Sequence, residues 1–220
     1  MDANRYLFSF LFIMCYSFSV AQDLKPDFFL KTGYGYFGNV SQFLDPGFGD
    51  VPPYVMINPE VEGKIQNGSM IWLDFSHRLN SGFTVGLNLT LADSRFSYND
   101  GLGFYWDFKQ TASYKIFDLS FGRELTAGGN GFTFSLGMLY RNYFSSFADY
   151  EIVPVLNQDP VISFPAIIES EFNDLGMSFK IDYTYTFKKH LLIGIRTGAN
   201  LMFALGFENI ILSPLIGMKF

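Results

Sequence analysis

Cysteine is nearly absent from this chain of 220 residues, and its one cysteine is Cys15. Cys15 lies in an apolar stretch, residues 6–18, that follows a single cation and is succeeded by small residues at 19–21. This order is typical of a signal peptide. We therefore expect residues 1–21 to be cleaved and residues 22–220 to form one exported domain. That domain would hold no disulfide, although small secreted domains commonly have several.

Charged residues are also scarce, at 16 % of the sequence, against about a quarter in an average soluble domain. The formal net charge is −6 at pH 7, and the sequence contains no run of basic residues. Because a nucleic-acid partner requires a basic surface, we expect no binding to nucleic acid.

Long hydrophobic runs are missing as well. Beyond the predicted signal peptide no window holds about 18 consecutive apolar residues, so we expect no transmembrane helix. Yet aromatic residues make up 19 % of the chain, with 27 Phe and 13 Tyr. An exported, apolar chain without a spanning helix points to the other structure that a bilayer accepts, a closed β-barrel.

The spacing of the apolar residues supports this interpretation. In residues 83–92, Phe, Val and Leu alternate with Thr, Gly, Asn and Ala, and residues 175–187 and 191–205 show the same period of two. These runs exceed the length of an ordinary strand, which is about five or six residues. They are long enough for the roughly 9–11 tilted residues that cross a bilayer.

Eight segments of this kind predict an all-β fold, an eight-stranded antiparallel up-and-down transmembrane β-barrel. The predicted strands are residues 27–38, 69–79, 83–96, 110–123, 132–143, 174–187, 191–205 and 209–220. Tight turns are predicted at 79–82, 126–131 and 188–190 on one rim. The other rim has longer connections at 39–68, 97–109 and 144–173 and one tight turn at 206–209. Short turns on one rim and long loops on the other are typical of bacterial outer-membrane barrels, in which the short turns face the periplasm.

Alternation alone does not tell which face of the sheet meets lipid, since a soluble ligand-carrying barrel has its apolar face inside. Two features favour a membrane barrel. The polar face is rich in Gly, Ser and Thr, which suits a narrow interior, and aromatic residues collect near both rims, as interfacial girdles require. The predicted girdles are Tyr34, Tyr36, Tyr98, Tyr105, Trp106, Tyr140 and Tyr143 at the long-loop rim, and Phe28, Phe83, Phe121, Phe132, Phe187 and Phe220 at the short-turn rim.

With its signal peptide, eight long amphipathic segments, asymmetric rims and terminal GMKF, the chain resembles the small outer-membrane β-barrel proteins of Gram-negative bacteria. That superfamily includes OmpA transmembrane domains, OmpW-like barrels and PorT-like barrels. The resemblance implies location in the cell outer membrane and two partners, outer-membrane lipid and the barrel-assembly machinery. It also implies an assembly signal at Ile216, Met218 and Phe220. It does not imply a molecular function.

If the apolar face of the sheet points outward to lipid, the polar side chains of the other face form a network in the lumen. Its predicted members are Lys31, Asp74, Arg78, Asp118, Glu124, Arg141, Lys180, Asp182, Arg196 and Lys219. A charge in a narrow barrel needs a partner, and an eight-stranded barrel holds little more than its own side chains. We therefore expect salt bridges that plug the interior. The alternative is a narrow, slightly anion-favouring path past Arg141 and Arg196.

No catalytic, cofactor-binding or metal-binding residue is predicted. Some small outer-membrane barrels act on lipid A with a histidine near the outer leaflet, but His77 and His190 both fall near the predicted periplasmic rim. The acidic residues of the long connections match no calcium-loop spacing. We expect neither enzymatic activity nor a cofactor.

The sequence thus favours a structural, surface or envelope-assembly role through the long connections 39–68 and 144–173, the candidate sites for an envelope protein partner. The apolar stretch 161–170 is expected to cover the barrel mouth, to extend a strand above the membrane, or to bind a partner. Two alternatives remain open: a small-solute or hydrophobic-compound channel, and a PorT-like secretion accessory. Pro214 predicts a bulge or a missing ladder bond in the last strand, because proline has no N–H to donate.

Overall fold

The structure is a computed structural model that describes residues 27–40, 62–65, 67–79, 81–99, 111–153, 161–203 and 206–220. Within these residues it contains nine strands: β1 (Asp27–Asn39), β2 (Glu62–Ile65), β3 (Gly68–Arg78), β4 (Phe83–Asn99), β5 (Thr111–Ala127), β6 (Asn130–Val153), β7 (Val161–Phe187), β8 (Leu191–Met202) and β9 (Gly206–Lys219). None of the described segments is a helix long and apolar enough to cross a membrane. The predicted signal peptide, residues 1–21, lies outside the described residues.

Eight of these strands form one closed antiparallel sheet. Around the barrel the order is β4-β3-β1-β9-β8-β7-β6-β5, and β5 pairs back with β4. At the short-turn rim the first and last strands are joined by two backbone bonds, Phe28 N to Phe220 O at 3.3 Å and Phe220 N to Phe28 O at 2.9 Å. The short β2 pairs with the outer end of β4, above the wall. The predicted eight-stranded barrel is confirmed.

Burial along the strands decides which face meets lipid. Three outward side chains on three different strands, Leu73, Leu119 and Ile195, are 49 %, 58 % and 53 % exposed. Their inward neighbours in sequence are charged and buried: Asp74, Asp118 and Arg196 are 4 %, 5 % and 3 % exposed. A soluble carrier would show the reverse arrangement. The apolar exterior is the surface that a bilayer requires.

The eight predicted segments all fall on barrel strands, but two predicted connections are wrong. β6 runs to Val153 and β7 begins at Val161, so most of the predicted loop 144–173 is a long hairpin. Of the three options for residues 161–170, the extended strand is the one observed. The predicted turn 206–209 is instead the start of β9, since β8 ends at Met202.

The seam between β1 and β9 contains the irregularity predicted at Pro214. Residues 33–35 of β1 have no ladder partners in β9, whereas pairing with one constant register is present on both sides of this interval. That register places Pro214 opposite Tyr34, and the missing proline N–H leaves the ladder without a donor there. The missing bond is therefore confirmed, and this ladder has no bulge. A Cβ on Gly33 would collide with the carbonyl oxygen of Pro214, so glycine permits the close approach of β9.

Candidate functional site

A cluster of charges fills the middle of the barrel. Lys31 Nζ lies 3.0 Å from Asp182 Oδ2, and Arg196 Nε lies 2.7 Å from Asp182 Oδ1. Arg196 also reaches across the barrel with Nη2 3.0 Å from Asp74 Oδ2. These residues face one another because they occupy inward positions of β1, β3, β7 and β8. Two carboxylates thus neutralise two cations that are all removed from solvent.

Two further contacts fix this central cluster in place. The guanidinium of Arg196 lies 3.8 Å from the ring centroid of Trp72, a cation–π contact. Trp72 Nε1 donates to Ser213 Oγ at 2.8 Å, so a hydrogen bond to β9 also holds the indole. A second pair lies nearby, in which Lys180 Nζ is 2.8 Å from Asp118 Oδ2.

The short-turn end of the lumen contains a second cluster. Arg78 forms ion pairs with Asp27 and with Glu124, the latter between Nη1 and Oε2 at 2.7 Å. Lys219 Nζ adds a third contact at 3.0 Å from Asp27 Oδ2. Lys219 is the most exposed of these cations, which places this cluster at the edge of the interior.

The long-loop end is occupied by Arg141. Its guanidinium binds Asp174 in a bidentate manner, with Nε–Oδ1 at 2.9 Å and Nη2–Oδ2 at 2.6 Å, and it also pairs with Glu208. Arg141 and Asp174 lie directly opposite each other on β6 and β7. Glu208 points inward because a register shift between β8 and β9 places an extra residue there.

Aromatic rings surround Arg141 and close this end. Tyr114 packs against Phe37 and against Tyr143, with both pairs of centroids 5.0 Å apart, and Tyr143 packs against Phe172 at 4.5 Å. The Arg141 guanidinium lies 5.7 Å from the rings of Tyr114 and Tyr143. The long-loop half of the described interior is therefore largely apolar and aromatic, whereas the short-turn half is charged.

All ten residues predicted for the lumen lie on the side of the sheet that faces the lumen. Nine of them are buried, and Lys219 is half-buried. Three carboxylates were not predicted: Asp27, Asp174 and Glu208. The first two could have been found, since each shares the parity of a predicted lumen residue on its own strand. Glu208 could not, because it lies in the predicted turn 206–209 and the register shift that turns it inward leaves no mark in the sequence.

Arg141 and Arg196, which line the alternative anion-favouring path, each contact two carboxylates. One girdle prediction is wrong. Tyr143 is buried on the same face as Arg141 rather than at the lipid interface. Of the other girdle residues, Tyr34, Tyr36, Tyr140, Phe28, Phe121, Phe132, Phe187 and Phe220 are exposed, Phe83 is half-buried, and the side chains of Tyr98, Tyr105 and Trp106 lie outside the described part.

The remaining predicted positions are easily placed. Ile216, Met218 and Phe220 point outward and are exposed, and their role as an assembly signal stays a prediction. His77 and His190 lie near the short-turn rim, with ring nitrogens 3.3 Å and 3.1 Å from the carbonyl oxygens of Asp27 and Lys219. Among the described residues no three His, Cys, Asp or Glu side chains are grouped to hold a metal ion.

Comparison with known proteins finds similarity in structure alone. No protein-family model and no curated protein sequence matches the chain. The outer membrane protein OprG from Pseudomonas aeruginosa matches with a TM-score of 0.53 and 12 % identity, over 88 % of this chain and 95 % of that one. A major outer membrane protein from Thermus thermophilus matches with 0.52 and 13 %, over 90 % and 100 %. Neisserial surface protein A matches with 0.50 and 7 %, over 90 % and 100 %.

At these identities the similarity shows the fold, and the surface of the molecule agrees with it. A closed eight-stranded wall, an apolar exterior and a charge-paired interior define a small β-barrel of the outer-membrane type. The chain is thus an outer-membrane β-barrel protein, located in the cell outer membrane.

Proposed function

We propose that this protein is a non-enzymatic surface protein that presents the outer part of its β6–β7 hairpin to an envelope partner. The observation that supports this most strongly is the extent of that hairpin. β5 begins opposite Ser146 and β8 ends opposite Gly176, whereas β6 and β7 continue to pair with each other beyond these points. We call residues 147–153 and 161–174 the ribbon.

The ribbon offers backbone groups for binding. Among the described residues neither of its strands has a partner on its outer side, so each edge presents N–H and C=O groups in extended conformation. Residues 169–173 are exposed in succession, which means that both faces of the ribbon are open there. An exposed edge of this kind accepts an added strand from another chain.

The barrel interior supports a binding role over transport. Each of its described lysines and the central and outer arginines contacts a carboxylate, and an aromatic layer lies above the charged one. A solute would have to separate buried ion pairs to pass, which is unfavourable because each partner would be left as an unpaired charge.

The proposal is tested by removing most of the ribbon, residues 147–168, and leaving the wall together with Asn173. Replacing residues 147–168 by Asn-Gly joins Ser146 to Glu169, which lie opposite each other, through a turn that two-residue hairpins prefer. The variant should still show heat-modifiable gel migration and fractionate with the outer membrane. A photo-cross-linker at Asn173 of the intact protein should form a specific adduct with an envelope protein in cells, and the ribbon-deleted variant should form none.

A cross-linker at Leu119, which faces lipid, is the matched control and should give no protein adduct. Adduct formation at Asn173 that persists after ribbon deletion would contradict the proposal. So would a change in lipid A mass upon expression, which would indicate an enzyme, or solute-dependent liposome swelling, which would indicate a channel.

A further inference from the structure

The turn between β7 and β8 has an unusual backbone. Lys188 and Lys189 have φ angles of 49° and 70°, in the left-handed region. Side chains with a Cβ adopt this region at a steric cost, which glycine does not incur. Lysine is thus a poor choice for both positions on conformational grounds.

Two other turns on the same rim have glycine at the positions where φ is positive. Gly128 and Gly129, in the turn between β5 and β6, have φ angles of 58° and 89°. The turn between β3 and β4 likewise has Gly82 at 79°. Two of the three short turns therefore use glycine where φ is positive, and the third has paired lysines in its place.

The surroundings of the two lysines are those of a membrane interface. Both are exposed, and Lys188 Nζ lies 5.4 Å from the ring centroid of Phe187, which is itself exposed toward lipid. The carboxylates described on this rim, Asp27 and Glu124, are bound to Arg78 and Lys219. The charge of the lysine turn is therefore not matched by those two acids.

We propose that the Lys188–Lys189 turn binds the headgroups of anionic phospholipids in the leaflet that meets the short-turn rim. The apolar stem of a lysine lies along the lipid-facing surface and its ammonium group extends to the headgroup level. Attraction between lysines and an anionic lipid surface supplies the reason to keep two side chains that strain the turn.

The test uses the full chain folded into phosphatidylcholine bilayers that contain trace spin-labelled phosphatidylglycerol or spin-labelled phosphatidylcholine. The measured quantity is the relative association constant of the two labelled lipids, from the motionally restricted fraction. At low ionic strength we expect about a threefold preference for phosphatidylglycerol, which high salt should remove.

Two double variants separate charge from strain. K188Q/K189Q removes the charge and keeps the strained backbone, whereas K188G/K189G copies the glycine turn at 128–129. Both should reduce the preference to about one, and K188G/K189G should raise the midpoint of thermal unfolding above that of the wild type. The control K115Q removes one exposed cation from the opposite half of the wall and should reduce the preference less than either.

Equal association of both lipids with the wild type would overturn the proposal, as would a preference that survives in both double variants or falls as far in K115Q. A lower thermal midpoint in K188G/K189G would also count against it, because the lysines would then be explained by a structural role.

Discussion

At the residue scale, Arg196 shows how the interior tolerates charge. Its guanidinium binds Asp182 and Asp74 and stacks on Trp72, and it is buried. In such a site the attraction between partners offsets the loss of water only while all partners are present, and removing one leaves an unpaired buried charge.

We expect Arg196→Gln to lower the free energy of unfolding by about 3–5 kcal/mol, the range for breaking a buried ion pair. Urea unfolding in lipid vesicles, followed by heat-modifiable gel migration, measures this change. Lys219→Gln is the control, because its ion pair with Asp27 is partly exposed and should contribute less than about 1 kcal/mol. Similar losses in the two variants would show that the buried central cluster contributes no more to stability than a partly exposed ion pair.

At the element scale, what the sequence could predict follows from its periodicity. In residues 83–92, apolar side chains alternate with polar or small ones because the two faces of this segment meet lipid and lumen. The structure has β4 at this place. The sequence left the extended strand at 161–170 as one of three options, because these residues form a nearly continuous apolar run with no alternation to mark a strand. Glu208 was missed because it fell in the predicted turn 206–209, whereas β9 begins at Gly206 and a register shift turns Glu208 inward.

The seam at Pro214 provides a prediction for an element. Pro214→Ala restores an N–H opposite the Tyr34 carbonyl, so β1 and β9 can complete their ladder. We expect an increase in unfolding free energy of about 1 kcal/mol, the usual net value of one hydrogen bond. Amide hydrogen exchange at Gly33, Tyr34 and Gly35 should also slow.

The control for the seam is Leu212→Ala, which shortens a neighbouring outward side chain and leaves the backbone N–H groups unchanged. Its exchange rates at residues 33–35 should match those of the wild type. Faster exchange in the Pro214→Ala variant would mean that the proline itself orders the seam.

At the scale of the whole molecule, the stacked charged and aromatic layers favour a closed lumen. We expect the purified wild-type protein to show no stable single-channel steps in planar bilayers. The measurement requires that the same preparation show heat-modifiable migration, so that a silent bilayer is not the result of unfolded protein. Reproducible steps of uniform size would contradict the closed interior and favour the channel alternative.

The interior contacts also have a consequence for the order of folding. The partners in three central contacts are 151, 141 and 122 positions apart in sequence: Lys31 with Asp182, Trp72 with Ser213, and Arg196 with Asp74. Contacts between such distant positions form late and slowly, because long loops must close first. Each of them joins strands that are far apart in the chain, and a strand that enters one residue out of register would turn its charges toward lipid. These three contacts therefore stabilise the arrangement in which strands from both ends of the chain are already in place.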